Sequence, residues 1–180
     1  MRADGLTESA SGSSGVQAVI GLGANLGDRL GALQSARDAL RELSSGGGRF
    51  QQSSIYRTEP VGCPQGAGNF FNAVVVMTWV GTALDLLAEL QRIERAHGRV
   101  RSGEPNEPRT LDLDLLVFGG ERMAHPDLVL PHPRLHERSF VLEPLAEIDG
   151  EMQVVKGGEM VSALLTELAA EPLERVEVMW

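Results

Sequence analysis

The sequence predicts an α+β domain with elements in the order β-α-β-β-α-β. Three observations carry this: β-branched runs bounded by Gly and Pro, two stretches with apolar residues at helical spacing, and no internal repeat. VQAVIGLG (16–23) is a short β-rich run ended by glycines. From about Leu30 the apolar residues Leu30, Leu33, Ala36, Leu40 and Leu43 recur every three or four positions, which predicts the first helix. SSGGG (44–48) closes it, and FQQSSIYRT (50–58) is extended up to Pro60 and Gly62. After a loop of roughly ten residues, FFNAVVVMTWV (70–80) is aromatic and β-branched, the strongest strand signal in the chain. Thr82 followed by Asp85 predicts an N-terminal capping box. Leu86, Leu90, Ile93 and His97 share one face of the helix it opens, and Gly98 ends that helix. RTLDLDLLVF (109–118) is the fourth strand. This order is the split pattern of a ferredoxin-like sandwich, an antiparallel sheet covered on one side by two helices. Beyond it lie a proline-bracketed loop, LPHPRLHERSF, a short helical stretch near VLEPLAEI and a last helix near MVSALLTELAA, all read as C-terminal additions.

The chain has 180 residues, 42% of them hydrophobic, enough for one well-packed domain. Residues 1–15, rich in Ser, Gly and Ala, read as a disordered tail, and 16–180 as a single domain. No apolar run reaches membrane-spanning length and the N-terminus has no secretory apolar segment, so a cytoplasmic protein with no membrane partner is expected. The lone cysteine, Cys63, excludes an internal disulfide and a cysteine-based metal site. A net charge of −9 argues against nucleic-acid binding, which depends on excess Lys and Arg. The charge is uneven, however: residues 91–110 hold five arginines and three glutamates, which suits a small polyanion. Lys156 is the only lysine, so every cation before it that could grip a phosphate is an arginine capable of forked hydrogen bonds.

In RTLDLDLLVF, strand alternation points Leu111, Leu113 and Leu115 toward the core and Asp112 and Asp114 to the opposite face, roughly 7 Å apart. A solvated outer face is the plain alternative. Yet Asp is disfavoured in strands, and two like charges so placed repel unless something positive lies between them. Hard carboxylate oxygens without nearby His or Cys suit Mg²⁺, which takes its remaining ligands from water and substrate phosphates. Arg99, Arg101 and Arg109, in or beside a Gly/Pro-containing loop, could close over such phosphates. GLGANLGD (21–28) is neither a dinucleotide fingerprint nor a P-loop: its spacing is GxGxxxG and no GK[ST] follows, so a tight strand-to-helix turn is the simpler reading. His132, held between Pro131 and Pro133 with Arg138 six residues on, is a candidate phosphate contact. Gln91 and Glu94, bordering the apolar face of the second helix, are either solvated or nucleotide-facing. Phe70 and Phe140 read as core.

Taken in order, GANLGD, SSIYRTEPVG, NFFNAVV, QRIERAHGRVR, EPRTLDLDLLVFG and LPHPRLHERSFVLEPLAEI resemble the 6-hydroxymethyl-7,8-dihydropterin pyrophosphokinase family of folate biosynthesis, over about residues 16–148. The resemblance implies transfer of the terminal pyrophosphoryl group of ATP to the hydroxymethyl oxygen of a reduced pterin, with release of AMP. It implies two Mg²⁺ ions on Asp112 and Asp114. It places the pterin between Phe70 and Phe140, read by Asn72 and by backbone near Thr58, Pro60 and Val61. Gln91, Glu94, Arg99, Arg109, His132 and Arg138 become polar ATP contacts, Leu115 a part of the adenine pocket, and Arg99 and Arg109 members of closing catalytic loops. A monomer acting on these two small molecules is the matching expectation.

The chain departs from the family's pattern at Asn106 and Glu107, in place of a frequent Trp-Gly, at Pro133, where some members carry tyrosine, and at Phe70, which keeps a stacking face without a hydroxyl. Two rival classes remain at this level. A DxD-dependent nucleotide-sugar transferase would be larger than 180 residues. A non-catalytic ferredoxin-like binding module would not need both aspartates.

Overall fold

The computed structural model describes residues 15–44, 48–60, 68–98, 109–154 and 158–180. The expectations for the N-terminal tail, apart from Gly15, and for Cys63, Lys156 and most of SSGGG therefore lie outside the described residues. Among the described residues, eight strands and four α-helices follow in the order β1 (Val16–Ala24), α1 (Arg29–Leu43), β2 (Phe50–Gln52), β3 (Ile55–Thr58), β4 (Phe70–Trp79), α2 (Ala83–Ala96), β5 (Asp112–Phe118), β6 (Met123–His125), β7 (Leu128–Leu130), α3 (Ser139–Asp149), α4 (Val161–Leu168) and β8 (Glu174–Val176), with one 3-10 turn at Leu135–Glu137 before α3. The main sheet runs β5-β1-β4-β3-β8, with β2 also paired to β4, and all its pairings are antiparallel. The expected ferredoxin-like arrangement is present.

Side-chain alternation gives the sheet two apolar faces, and each has its own helices. Ala18, Ile20 and Leu22 of β1, Ala73, Val75 and Met77 of β4 and Leu113 and Leu115 of β5 share one core with Leu33, Ala36 and Leu40 of α1 and Leu86, Leu90 and Ile93 of α2. Val19, Val74, Val76, Leu116 and Val117 form the other with Val141, Leu142 and Leu145 of α3 and Val161 and Leu164 of α4. The segments expected as additions thus cover part of the sheet's second face.

Local chemistry sets the helix ends. Asp28 caps α1, its Oδ1 accepting from Gly31 N at 3.0 Å. The Thr82–Asp85 capping box is formed in both directions, and Gly98, at φ +76°, ends α2 in a conformation that favours glycine. The extended segment 50–58 is divided at Ser53. That buried serine occupies both backbone groups of Val74: its N donates to Val74 O at 2.9 Å and its Oγ accepts from Val74 N at 3.0 Å. Burial, with Glu147 beside it, pushes the Tyr56 phenol up to about 12, so it stays a donor to Glu147 Oε2 and ties β3 to α3. The short hairpin β6–β7 and the strand β8 are additional to the expected elements.

Candidate active site

Helix α3 covers only part of the second sheet face, and a cavity of about 1030 Å³ opens over the rest. Its floor follows from β1 and β5. Gly21 pairs with Asp114 and Gly23 with Asp112, so two glycines two residues apart lie beside two aspartates two residues apart. All four line the cavity. Neither glycine has a positive φ; their value is the missing side chain. A Cβ on Gly23 would lie 3.4 Å from Asn72 Oδ1 and one on Gly21 3.3 Å from Leu116 Cδ1. Gly23→Val, whose branched side chain suits a strand but fills this floor, is expected to weaken ligand binding at least about tenfold while shifting Tm by only a few degrees. Calorimetric titration and a thermal melt check the two halves.

The carboxylates are not bare. Arg109 Nη1 pairs with Asp112 Oδ2, and Arg138 Nη1 with Asp114 Oδ2 at 3.0 Å. The repulsion expected between the aspartates is therefore relieved by arginines, one arriving before β5 and one from the turn before α3. Both pairs line the cavity, and the side chains of Asp112 and Asp114 retain 20% and 39% of their exposure. Arg138 also lies 5.6 Å from the centroid of the Phe140 ring.

His132 N donates to Leu116 O at 2.8 Å, holding the histidine beside the strand. Its Nδ1 accepts from Arg134 N at 3.1 Å, so the neutral ring carries its proton on Nε2. Burial, and then the Arg138 charge, lower its pKa from the ordinary 6.5. The folded protein thus binds fewer protons at this residue than the unfolded chain does between the lowered value and 6.5. This contribution to stability is fully present above 6.5 and is lost as pH falls through that window. His132→Gln is expected to flatten the stability decline below about pH 6.5, measured by urea unfolding across that range.

Thr58 of β3, Phe70 and Asn72 of β4 and Phe140 of α3 line the same cavity. Asn72 Nδ2 donates to Thr58 Oγ1 at 2.8 Å, which fixes the plane of the buried amide.

The structure therefore brings Thr58, Phe70, Asn72, Arg109, Asp112, Asp114, His132, Arg138 and Phe140 to one cavity. Val61 and Arg99, like Arg101, Asn106 and Glu107, lie outside the described residues. Pro60, Gln91, Glu94 and Leu115 do not line the cavity. Leu115 is buried with α1 and α2 because alternation places it opposite the aspartates. Leu116 lines the cavity: a bulge, with Val19 opposite Val117 and Ile20 opposite Leu115, turns both Leu116 and Val117 to that face. Glu94 is buried, and its Oε1 accepts from Leu113 N at 2.8 Å, bracing the start of β5 from α2. Sequence reasoning missed Arg57, Glu59, Arg134 and Glu137, and the wall formed by Glu171, Pro172, Leu173 and Glu174. The alternating glycines of β1, set against the alternating aspartates of β5, were the available signal for the floor.

Six acidic side chains, four arginines, a neutral histidine and two phenylalanines line one cavity, which offers forked cationic donors for a polyanion and flat faces for a ring. Among the described residues no cluster of three or more His, Cys, Asp or Glu forms a self-sufficient metal cage. Asp112 and Asp114 still fit a hard divalent cation that draws its other ligands from water and phosphate.

Comparison with known proteins points the same way. A family model described as 7,8-dihydro-6-hydroxymethylpterin-pyrophosphokinase matches residues 19–150. A Haemophilus influenzae 2-amino-4-hydroxy-6-hydroxymethyldihydropteridine pyrophosphokinase is 38% identical over 154 residues, covering 86% of this chain and 94% of the relative. A Bacillus subtilis protein of the same description is 43% identical over 131 residues, 73% of this chain and 77% of that one. In three dimensions, a Plasmodium falciparum HPPK-DHPS chain solved with pterin and p-hydroxybenzoate superposes with a TM-score of 0.62 at 15% identity, covering 88% of this chain. This chain spans 44% of that longer one, and the likeness shows the shared fold.

Proposed function

The chain belongs to the 7,8-dihydro-6-hydroxymethylpterin-pyrophosphokinase family, and we propose that the cavity beside β5 is where it transfers the pyrophosphoryl group of ATP to the hydroxymethyl group of 6-hydroxymethyl-7,8-dihydropterin, releasing AMP, in folate biosynthesis. One observation carries the assignment to this cavity: the two arginine–aspartate pairs share it with the Thr58, Phe70, Asn72 and Phe140 cluster.

The ring end takes the pterin. Phe70 and Phe140 offer stacking faces and the Asn72 amide, held by Thr58, reads the hydrogen-bonding edge of the heterocycle. Phe140→Ala is expected to weaken pterin binding about tenfold or more, measured by fluorescence titration, with ATP affinity changed less than about threefold.

The charged end takes the triphosphate. Arg109 and Arg138 give forked donors and His132 a neutral N–H donor, all arranged before substrate arrives, which favours charge developing at the transferred group over bulk water. Gln91, Glu94, Arg99 and Leu115 complete the ATP contacts in this reading, and Pro60 and Val61 the pterin contacts. Asp112 and Asp114 would hold the Mg²⁺ pair, which supplies charge neutralisation of the phosphates and lowers the proton affinity of the acceptor hydroxyl. As the bond from the hydroxymethyl oxygen to the β-phosphorus forms, the bond from that phosphorus to the α–β bridging oxygen breaks. AMP leaves, and the hydroxyl proton, its affinity lowered beside Asp114, passes to solvent water. A cytoplasmic location, read from composition, and a monomer, the expectation that goes with the resemblance, belong to the same proposal.

The test is AMP formation from ATP, Mg²⁺ and 6-hydroxymethyl-7,8-dihydropterin. AMP release that does not depend on the pterin would overturn the reading.

A further inference from the structure

The turn from β1 to α1, ANLGDR, lies between two of the chain segments that line the cavity, those of Phe70 and Arg109, and its side chains hydrogen-bond to the start of both. On one side Asn25, 5% exposed, takes over the backbone of Arg109. Asn25 Oδ1 accepts from Arg109 N at 2.7 Å, and the N–H groups of Asn25 and Leu26 both donate to Arg109 O, at 3.0 and 3.1 Å. Both polar backbone groups of the residue whose guanidinium pairs with Asp112 are thus held by this turn. The other half of the Asn25 amide, Nδ2, is buried with no hydrogen-bond partner, so the side chain carries a desolvation cost while its oxygen serves Arg109.

On the other side, a Cβ on Gly68 would lie 3.3 Å from the Asn25 carbonyl oxygen, so this second segment runs against the same residue. Arg29 Nη1 donates to Asn69 O at 2.7 Å, and its guanidinium lies 4.2 Å from the centroid of the Phe71 ring. Phe71 alternates with Phe70 along β4, so fixing Asn69 and Phe71 fixes the backbone on both sides of Phe70.

We propose that this turn is a shared anchor: Asn25 is a positioning residue for Arg109 and the triphosphate end, and Arg29 a positioning residue for Phe70 and the pterin end. The proposal rests on the roles given above to those two ends, and it assigns the glycine-containing turn a task that is not phosphate binding.

The test uses the full chain. Asn25→Ala is expected to lower kcat about 30-fold while pterin affinity changes less than about threefold. Made in an Arg109→Ala background, it is expected to cost less than about threefold more, because the group it positions is already gone. Arg29→Met, which keeps an apolar stem over Phe71, is expected to weaken pterin binding about tenfold with kcat at saturation within about threefold. Fully additive losses in the double variant, or parallel loss of kcat and pterin affinity in both single variants, overturn the anchor. A readout free of activity is amide hydrogen exchange at Arg109, expected to speed up about tenfold or more in Asn25→Ala; unchanged protection overturns the proposal. That arm decides even if the parent makes no AMP, in which case the functional reading fails separately. If Asn25→Ala does not fold, Arg29→Met decides, since Arg29 is partly exposed: unchanged pterin affinity overturns the proposal.

Discussion

Asp114→Ala is expected to lower turnover by about a thousandfold or more and to leave the fold intact. The asymmetry follows from position. Asp114 sits on the cavity face of β5 opposite Gly21, with 39% of its side chain exposed, and contributes nothing to either apolar core. Its ion pair with Arg138 is only partly desolvated, so losing it should cost folding on the order of 1 kcal/mol. For the reaction the expected loss is larger, because in the proposed mechanism the same carboxylate holds the cation and helps to lower the proton affinity of the acceptor hydroxyl. Asp114→Asn, which keeps the shape and removes the charge, should be nearly as slow. Near-normal AMP release from a folded Asp114→Ala protein would remove the carboxylate from the mechanism.

Arg109→Ala is expected to reduce kcat by about a hundredfold to a thousandfold while pterin affinity changes less than about threefold. Arg109 enters from the β5 side of the cavity and pairs with Asp112, whereas the stacking faces come from Phe70 on β4 and Phe140 on α3. Its contribution should therefore appear where charge moves between bridging oxygen and leaving AMP. Arg109→Lys should recover only part of the rate, since an ammonium lacks the planar fork. Single-turnover kinetics beside equilibrium pterin titration separate the two effects, and a loss confined to pterin affinity would contradict the assignment.

How far the sequence anticipates these residues depends on the range of the interaction that places them. The DxD alternation, the Thr82–Asp85 capping box and the Gly98 terminus are local, and local geometry sufficed for all three. The resemblance to a family then gave roles to Phe70, Asn72 and Phe140, which periodicity alone would leave as core or solvent. What stayed hidden was set by register and by the far end of the chain. That Leu116 rather than Leu115 lines the cavity depends on a bulge between β1 and β5. That Asp114 is already charge-paired depends on Arg138, 24 residues downstream. Strand β8 adds to β3 as an edge through only three residues, too short a run to announce itself. Gln91 and Glu94 were ambiguous because a polar residue at the border of a helix's apolar face can turn either way. Glu94 turns inward and braces Leu113.

The glycines of GLGANLGD show the same division. Their spacing excluded a nucleotide fingerprint, but only the antiparallel pairing of β1 with β5 shows that Gly21 and Gly23 clear the floor beside Asp114 and Asp112.

The central claim is that a pyrophosphoryl group moves as one unit to the pterin. Its most direct test is to follow ATP labelled in the β-phosphate, with Mg²⁺ and 6-hydroxymethyl-7,8-dihydropterin, and to separate the products. The account predicts that the label appears in a pterin diphosphate and that AMP forms in equal amount without label. Label remaining in ADP, or released as free pyrophosphate with the pterin unchanged, would contradict it.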